Sequence, residues 1–311
     1  MGAVELHDVF EDHRRFLWGL CYRLTGSAAD ADDLVQETFV RALERPPRDT
    51  TLSWRPWLVR VALNLGRDAL RRRRRQSYVG PWLPTPIETA DEASPPSVEP
   101  VLVGTVTTEG RYDLLESVSF AFLLALEALT PLQRAVLLLR DVFDYTVAEC
   151  AGALAVTAAN VKTTHHRARR AMQRYDAARC VPTVVRQDAT REALTRFMLA
   201  IAQGDVPAVE ALLSESVRAL SDGGGEFVAA RVPIVGRARV ARFYCNIAAR
   251  HATAERVELR MVNGLPAAVV SLRRGLRRTP ERFVLRADVD ALGRIIALHS
   301  VLARAKLAAI G

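Results

Sequence analysis

Residues 146–175 have the sequence TVAECAGALAVTAANVKTTHHRARRAMQRY, which predicts a short helix, a tight turn and a longer basic helix. Thr146 and Glu149 form a capping box at the start of the short helix. Thr157 then caps a second helix that extends to about Tyr175. This order of elements is typical of a helix-turn-helix, whose second helix enters the major groove of DNA.

The two faces of the longer helix differ in polarity. Three apolar side chains share the face that we expect to be buried: Val161, Ala168 and Met172. The outward face and its flank carry polar and basic side chains: Asn160, Lys162, Thr163, His166, Arg167 and Arg170. No acid occurs between Cys150 and Tyr175, which favours contact with DNA over a merely solvated face. His165 falls on the buried stripe, either as a core histidine or as a pH-sensitive packing switch.

The helix before this motif also has a clear start. Thr130, Pro131 and Gln133 supply an N-cap, a proline at the first helical position and a capping-box glutamine. The pattern that follows predicts a strongly apolar helix from Leu132 to Val142.

A first helical block covers residues 8–75, and Ser27 marks the start of one of its helices, which ends near Leu43. We expect one face of this helix to be buried: Val35, Phe39, Ala42 and Leu43. The opposite face is charged: Asp30, Asp33, Glu37 and Arg41. That face is either a solvated surface or an acidic docking stripe for a basic partner.

The next helix extends from about Trp54 to Arg75. Its predicted apolar stripe consists of five residues: Leu58, Val61, Ala62, Leu65 and Ala69. The other side combines aromatic, amide and charged groups, which suit single-stranded nucleic acid: Trp57, Arg60, Asn64, Arg67, Asp68 and Arg71. The run Arg71–Arg75 suits the helix dipole. Since five neighbouring arginines also repel one another, a phosphate backbone would relieve that repulsion.

Two different regions follow the first helical block. A stretch rich in Pro, Gly, Ser and acids predicts an extended linker before the second helical block, which covers residues 115–178. After about residue 190, helices are predicted at about 189–203, 207–213 and 237–250. Short alternating runs predict antiparallel strands at 216–221, 226–232, 256–262, 267–274, 281–289 and 293–300. Helices combined with such strands indicate an α+β domain.

Composition excludes several classes of protein. The chain has 311 residues, is 50% hydrophobic and 25% charged, and carries a formal net charge of +8, which is a globular composition. No apolar run approaches the ~18 residues of a membrane span, and the N-terminus lacks a signal pattern. Four widely spaced cysteines exclude a disulfide framework and a cysteine-rich zinc site. We expect a cytoplasmic protein with no membrane contact, metal or cofactor.

Several strings resemble bacterial sigma factors. Asp30–Phe39 (DADDLVQETF) is similar to the core-polymerase-binding region 2, and Trp57–Arg71 (WLVRVALNLGRDALR) is similar to the adjoining promoter-melting helix. Leu129–Val136 (LTPLQRAV) and Val161–Arg170 (VKTTHHRARR) resemble sigma region 4. Because regions 1 and 3 have no counterpart, the resemblance is to the extracytoplasmic-function group.

Two further strings narrow the resemblance. Tyr78–Pro86 (YVGPWLPTP) and Ser221–Gly225 (SDGGG) resemble the subgroup of these sigma factors with a C-terminal SnoaL-like (NTF2-like) domain. The chain departs from the family pattern at three positions. Ala155 replaces a glycine in the region 4 turn, His165 replaces a leucine, and Glu226 replaces the lysine after the glycines.

The resemblance implies four groups of site residues. The coiled coil of the largest polymerase subunit would be contacted by Asp30, Asp33, Gln36 and Glu37. The −10 DNA would be contacted by Trp57, Arg60, Asn64, Arg67, Asp68 and Arg71. The −35 DNA would be contacted by Asn160, Lys162, Thr163, His166, Arg167 and Arg170. Interdomain regulation would use Tyr78, Gly80, Trp82, Pro84, Asp222, Gly223, Gly224 and Gly225.

The implied fold is two all-α sigma domains, a region 2 helical bundle and a region 4 helix-turn-helix, followed by an α+β SnoaL-like cone. The implied bounds are 1–76 for region 2, 77–114 for the linker, 115–180 for region 4 and 188–311 for the SnoaL-like domain. The implied function is to bind core RNA polymerase, including its flap, to recognise −35 and −10 promoter DNA and to start transcription. The SnoaL-like domain would regulate this activity in cis by contacting the linker and the sigma domains.

Two other functions stay open from the residues alone. One is a helix-turn-helix regulator with a small-molecule-sensing C-terminal domain. The other is a cyclase-like enzyme with a DNA-binding appendage, for which five residues are the obvious acid–base candidates: Asp222, His251, Asp288, Asp290 and His299. No motif fixes their mutual geometry, so we expect no catalytic residues.

Overall fold

The computed structural model describes residues 3–49, 51–89, 111–251, 254–273 and 279–311. Residues 90–110, which belong to the predicted linker, lie outside the described residues. The chain divides into two compact units. The first comprises Met1–Ser77 with Val98–Cys180, and the second comprises Tyr78–Ser97 with Val181–Gly311.

The first unit opens with three helices: α1 (Ala3–Thr25), α2 (Ala28–Glu44) and α3 (Arg55–Arg75). The Ser27 side chain caps α2 by accepting a hydrogen bond from the Asp30 amide, as the sequence predicted. Val35, Phe39 and Ala42 are buried as expected, whereas Leu43 is 66% exposed, so that prediction was wrong. Leu43 follows Ala42 by one residue, about 100° around the last turn, which takes it out of the buried stripe.

The predicted apolar stripe of α3 is confirmed at Leu58 and Ala62 and wrong at its other three positions. Its buried residues are Leu58, Val59, Ala62, Leu63, Gly66 and Leu70. Val61, Leu65 and Ala69 are only partly buried, because α3 packs against α1 and α2 on one side and against later helices on another. At Gly66 an added Cβ would lie 2.4 Å from Leu24 Cδ2, so a larger residue here would displace the buried Leu24 side chain.

The described residues 111–180 of the first unit form a 3-10 turn (Glu116–Val118) and four helices. These helices are α4 (Phe120–Leu126), α5 (Pro131–Asp141), α6 (Val147–Leu154) and α7 (Ala158–Asp176). Both predicted capping boxes are confirmed, at Thr130 with Gln133 and at Thr146 with Glu149. Helices α1 and α3 contact α5, and α3 also contacts α6, so both helical blocks belong to one compact unit.

The second unit combines four helices with a six-stranded sheet. The helices are α8 (Val184–Gln203), α9 (Val206–Leu212), α10 (Arg237–His251) and α11 (Arg304–Leu307). The strands are β1 (Leu213–Asp222), β2 (Ile234–Val235), β3 (Ala254–Val262), β4 (Leu265–Leu272), β5 (Arg282–Val289) and β6 (Ile295–Val301). Their order is β2-β1-β6-β5-β4-β3.

The sheet is mixed. Strands β1 and β6 are parallel, and the other neighbouring pairs are antiparallel, so the expectation of an antiparallel sheet was wrong at one pair. The strand predicted at 226–232 is absent, and these described residues form turns and irregular structure. The edge of β1 pairs instead with the short β2, which the sequence analysis missed. Alternation in the sequence does not decide which segment reaches a sheet edge.

Helices α8, α9 and α10 pack on one face of the sheet. Phe197, Val240 and Tyr244 lie in a buried cluster with Leu285 and Leu298 from the strands. The expected fold class is therefore confirmed as two all-α regions and a C-terminal α+β domain.

Candidate nucleic-acid and interdomain sites

Helix α7 presents one continuous polar face. Its buried residues are Val161, Thr164, Ala168, Met172 and Tyr175, which include all three predicted core positions. The six residues predicted to contact −35 DNA are all exposed: Asn160, Lys162, Thr163, His166, Arg167 and Arg170. Thr157 caps the helix by accepting a hydrogen bond from the Asn160 amide. One amide of the helix N-terminus is thus satisfied within the protein, and the exposed side-chain donors face solvent, where base edges and phosphates could accept from them.

A buried carboxylate joins α5 to α7. Asp141 is 3% exposed, and its oxygens lie 2.9 Å from His165 Nε2 and 3.1–3.2 Å from the Arg169 guanidinium. Burial by itself would raise the pKa of Asp141, but hydrogen bonds from His165 and Arg169 hold the pKa below its ordinary value. His165 is therefore a half-buried partner of an acid and not a packed apolar-core residue.

The turn of the helix-turn-helix is closed by an alanine in an unusual conformation. Ala155 has φ +53° and ψ +48°, in the left-handed region, and its amide donates to the carbonyls of Ala151 and Gly152. Glycine adopts this conformation without the clash that a Cβ produces. Ala155 therefore holds this turn at a cost in strain that glycine would not incur.

The predicted acidic stripe lies along one side of α2. Asp33, Gln36 and Glu37 are exposed, and Asp30 is partly buried. Glu37 is paired with Arg41 at 3.0 Å, one turn along the helix. Exposed pairs of this kind contribute little to stability, so the stripe remains available to a basic partner.

The polar side of α3 holds the residues predicted to contact −10 DNA. Trp57 is partly buried and packs edge-on against Trp54, with ring centroids 6.4 Å apart. Arg71 is paired with Asp68 at 2.8 Å, and both side chains are more than half exposed. Arg67 lies 3.5 Å from Asn64 Oδ1. Burial and the nearby Arg71 charge lower the pKa of Arg67.

The arginine run at the end of α3 is divided between solvent and protein. Arg71, Arg72, Arg74 and Arg75 are exposed, and Arg73 is partly buried. Arg73 donates to the Thr25 carbonyl at 2.7 Å and to Glu127 at 2.8 Å. Arg74 donates to the carbonyl of Leu129.

Within the second unit, the segment Tyr78–Pro86 is held around Asp222, which is fully buried. One Asp222 oxygen accepts hydrogen bonds from the Tyr78 hydroxyl at 2.5 Å and the Gly224 amide at 3.0 Å. The other accepts from the Leu83 amide at 2.8 Å and from Lys306 Nζ at 2.7 Å. The ammonium of Lys306 also lies 4.5 Å from the centroid of the Trp82 ring.

The glycines after Asp222 allow neighbouring residues of the second unit to approach the backbone closely. A Cβ on Gly224 would lie 2.8 Å from Ala303 Cβ, and Gly224 has φ +58°. A Cβ on Gly223 would lie 2.7 Å from the Phe227 carbonyl oxygen. The eight residues predicted for interdomain regulation thus include direct partners, Tyr78 and Asp222. Pro84 is buried in the same segment as Tyr78, and Gly80 adopts a positive φ.

The segment continues along the edge of the sheet. The Thr89 amide donates to the Met261 carbonyl, and the Asn263 amide donates to the Ile87 carbonyl, both at 2.9 Å. Glu88 is paired with Arg260 at 2.7 Å. Residues 78–89 are thus anchored at two places in the second unit.

The acid–base candidates do not form one constellation. The Asp222 carboxylate is occupied by the contacts above, Asp290 is paired with Arg294, and the His251 side chain lies outside the described residues. His299 Nδ1 lies 3.8 Å from an Asp288 oxygen, which is longer than a hydrogen bond. Burial, together with the nearby Arg286 charge, lowers the pKa of His299 to about 4.

Comparisons with known proteins match both helical regions. The model of sigma-70 region 2 matches residues 9–76, and the model of sigma-70 region 4 matches residues 119–172. The extracytoplasmic-function RNA polymerase sigma factor SigJ of Mycobacterium tuberculosis is 34% identical over 248 residues, covering 78% of this chain and 73% of the relative. The chain belongs to the extracytoplasmic-function sigma factors.

A second relative supports the same family over a greater length. Sigma factor SigG of Mycobacterium tuberculosis is 32% identical over 312 residues, which cover 92% of this chain and 79% of the relative. The crystal structure of Mycobacterium tuberculosis SigJ aligns with a TM-score of 0.70 and 28% identity, over 96% of this chain and 97% of that one. The match of region 2 argues against a simple helix-turn-helix regulator, which needs no such region.

This sigma factor also has contacts between buried or half-buried charges that the sequence analysis missed. Lys306 was not among the predicted site residues. It is one of two lysines among 43 basic residues, and that rarity could have singled it out as a candidate. Asp141 had a signal too, since a carboxylate at the end of a helix opposes the helix dipole and needs a cation nearby. Glu127 lies in a loop with no motif. In the described part of the chain, no helix combines the length and hydropathy of a membrane span, and no cluster of potential metal ligands was found.

Proposed function

We propose that this sigma factor binds core RNA polymerase through α2, opens the −10 element with α3 and reads the −35 element with α7. The observation that carries the proposal is the outward face of α7. Six polar or basic residues there are exposed, the opposite stripe is buried, and the turn before the helix is closed. Such a helix matches the major groove in shape and charge.

The −35 role is tested by transcription in vitro. Full-length protein is mixed with core polymerase and genomic fragments, and promoters are selected by their transcripts. Arg167→Ala is expected to reduce initiation about fivefold or more, because one good bidentate base contact is worth ~1–3 kcal/mol. Arg196→Ala is the matched control, since Arg196 is an exposed arginine of α8 in the second unit. Equal transcription from the Arg167 and Arg196 variants would contradict the role.

Polymerase binding is proposed to use the acidic stripe of α2: Asp30, Asp33, Gln36 and Glu37. Reversing a charge opposite a basic partner replaces attraction by repulsion and slows association. Asp33→Lys is therefore expected to weaken binding to core polymerase at low salt, measured by surface plasmon resonance. Glu192→Lys, at an exposed glutamate of α8, makes the same change of charge away from the stripe. Failure of the unaltered protein to bind core polymerase would reject the whole proposal.

The −10 role of α3 is tested at Arg71. Arg71→Ala is expected to weaken promoter binding and to lower the slope of log affinity against log salt by roughly one phosphate contact, ~0.7 to 0.9. An unchanged slope would remove Arg71 from the phosphate contacts.

Regulation in cis is proposed to act through the Asp222 cluster, defined as Tyr78, Trp82, Leu83, Asp222 and Lys306. What supports it is that these contacts tie the segment before region 4 to the C-terminal domain within one unit. Two functional regions joined by a chain can reach their two DNA sites only if the connecting segment spans the distance. A connecting segment that is bound to the C-terminal domain therefore limits how well regions 2 and 4 can bind the −10 and −35 elements together.

If the Asp222 cluster regulates the sigma factor, weakening its contacts should change the amount of transcript. Trp82→Ala removes the ring beneath the Lys306 ammonium and is expected to alter transcription from the selected promoters at unchanged affinity for core polymerase. Val79→Ala is a control, because Val79 is exposed in the same segment. Identical transcription from both variants would argue against cis regulation through this cluster.

Catalysis is not part of the proposed function. The acid–base candidates are occupied, separated or outside the described residues, and the low pKa of His299 keeps its imidazole neutral near pH 7. We propose that the factor acts in the cytoplasm with core polymerase and promoter DNA as partners, without a cofactor.

A further inference from the structure

Two helix C-termini meet beside the arginine run of α3. Helix α1 ends at Thr25 and α4 ends at Leu126, and both present the carbonyl groups of a last turn and the negative end of a helix dipole. Arg134 of α5 is 2% exposed and donates to the Leu24 carbonyl at 2.9 Å and to the Leu126 carbonyl at 2.8 Å. It is also paired with Glu127 at 2.9 Å.

Two arginines of the run reach the same place from outside. Arg73 shares Glu127 with Arg134 and donates to the Thr25 carbonyl, while Arg74 donates to the Leu129 carbonyl. Arg73 retains 22% side-chain exposure and Glu127 retains 35%. Arg134 is therefore the inner cation of this cluster, and Arg73 and Arg74 are its outer cations.

When the outer cations depart, Glu127 and the carbonyls of Leu24 and Leu126 keep Arg134. Thr25 and Leu129 are buried, so their carbonyl oxygens then need water as the donor that replaces the arginine. The guanidinium groups of the Arg71–Arg75 run also repel one another. An anion whose whole negative charge is available to one arginine therefore stabilises that arginine more than a shared carboxylate does. A DNA phosphate offers a whole negative charge, whereas Arg73 now shares one carboxylate with another arginine.

We propose that Arg73 and Arg74 form an exchangeable phosphate site. In the unbound chain they bind the Glu127 cluster, defined as Thr25, Glu127, Leu129 and Arg134. On DNA they transfer to backbone phosphates and Arg134 stays in place. This inference rests on the proposed DNA-binding function and extends it to two residues that link α3 to the helices of region 4.

The exchange couples DNA binding to the contact between regions 2 and 4. Since Glu127 follows α4 and Arg73 belongs to α3, each transfer of an arginine to DNA removes one hydrogen-bonded link between the two regions. Phosphate contacts carry no sequence information, so duplex DNA of mixed sequence is a sufficient probe.

A double-mutant cycle on the full-length chain tests the exchange, with affinity for a short mixed-sequence duplex measured over a range of salt. Glu127→Gln keeps an oxygen for Arg134 but removes the charge that competes with DNA, and it is expected to raise the affinity about threefold or more. In the background Arg73→Ala with Arg74→Ala, the same change is expected to have no effect. This background should also lower the salt slope by about two phosphate contacts, ~1.8.

The control background is Arg72→Ala with Arg75→Ala, which removes two exposed arginines of the same run. There Glu127→Gln should keep its full effect. An equal effect of Glu127→Gln in all backgrounds would mean that Glu127 acts only by long-range charge, and the proposal would fail.

An unchanged salt slope without Arg73 and Arg74, or no binding of duplex by the unaltered chain at low salt, would also overturn it. Because no polymerase is present, failure here is distinguishable from failure of the proposed function, which the transcription assay reports separately. Amide hydrogen exchange of α5 confirms that each variant is folded.

Discussion

The two units each contain a buried aspartate that joins distant parts of the chain, and their partners differ. Asp222 accepts from a hydroxyl, two backbone amides and an ammonium group. Asp141 accepts from an imidazole and a guanidinium, both on α7. Asp222 therefore organises backbone as well as side chains, whereas Asp141 fixes one helix against another. Removal of the first carboxylate should cost more, because it leaves more buried donors unsatisfied.

The largest effect is expected for Asp222→Ala. The change leaves the Leu83 amide buried without its acceptor and leaves the Lys306 ammonium without its counter-ion, although Lys306 keeps the Leu83 carbonyl, a loss on the order of 3–5 kcal/mol for the second unit. Hydrogen exchange should show loss of protection at the Leu83 amide and across β1. Asp188→Ala, at an exposed aspartate of α8, should leave both unchanged. Retained protection at Leu83 would show that Asp222 does not hold this segment.

Lys306→Met tests the cation of the same cluster. Asp222 keeps three donors in this variant, so the expected loss is smaller, about 2 kcal/mol, in line with a hydrogen bond to a charged group. Thermal unfolding of the second unit measures it. Lys162→Met is the natural control, because the other lysine is exposed on α7 in the first unit. Equal stability of the two variants would mean that Tyr78 and the backbone amides, and not Lys306, supply the stabilising contacts of Asp222.

Asp141→Asn tests the corresponding link in the first unit, with an expected loss of about 2 kcal/mol at neutral pH. Because folding lowers the pKa of Asp141, the carboxylate stabilises the protein above its ordinary pKa, near 4, and this stabilisation is lost as the pH falls through the lowered value. Urea unfolding followed from pH 6 downward should therefore show a smaller acid loss in the variant. Asp144→Asn, at an exposed carboxylate, should keep the acid loss of the original protein.

The smallest effect is a gain. Ala155→Gly relieves the left-handed alanine in the region 4 turn and should stabilise the first unit by about 1 kcal/mol. Ala159→Gly, at an exposed position of α7, should instead destabilise by ~0.5–1 kcal/mol. A urea midpoint above that of the original protein for Ala155→Gly and below it for Ala159→Gly would confirm that the strain is local to Ala155. A loss at both positions would mean that the turn holds no strain.

Predictions based on local chemistry succeeded where the signal was local. Two capping boxes, the N-caps Ser27 and Thr157 and the outward face of α7 were predicted correctly, because each depends on a few neighbouring residues. Predictions based on periodicity alone were less secure. Val61, Leu65 and Ala69 were assigned to the core of α3, yet this helix packs on more than one side and buries Val59, Leu63 and Leu70 instead.

The sequence by itself determined the two helical regions, the α+β class of the last domain and the family, since caps, helical periodicity and family motifs are written in contiguous residues. Tertiary structure alone decided the partners of the buried charges. Asp222 meets Tyr78 across 144 positions and Lys306 across 84, and Arg73 meets Glu127 across 54. Such pairs form only when packing brings separate segments together, because burial then obliges each charge to find a partner.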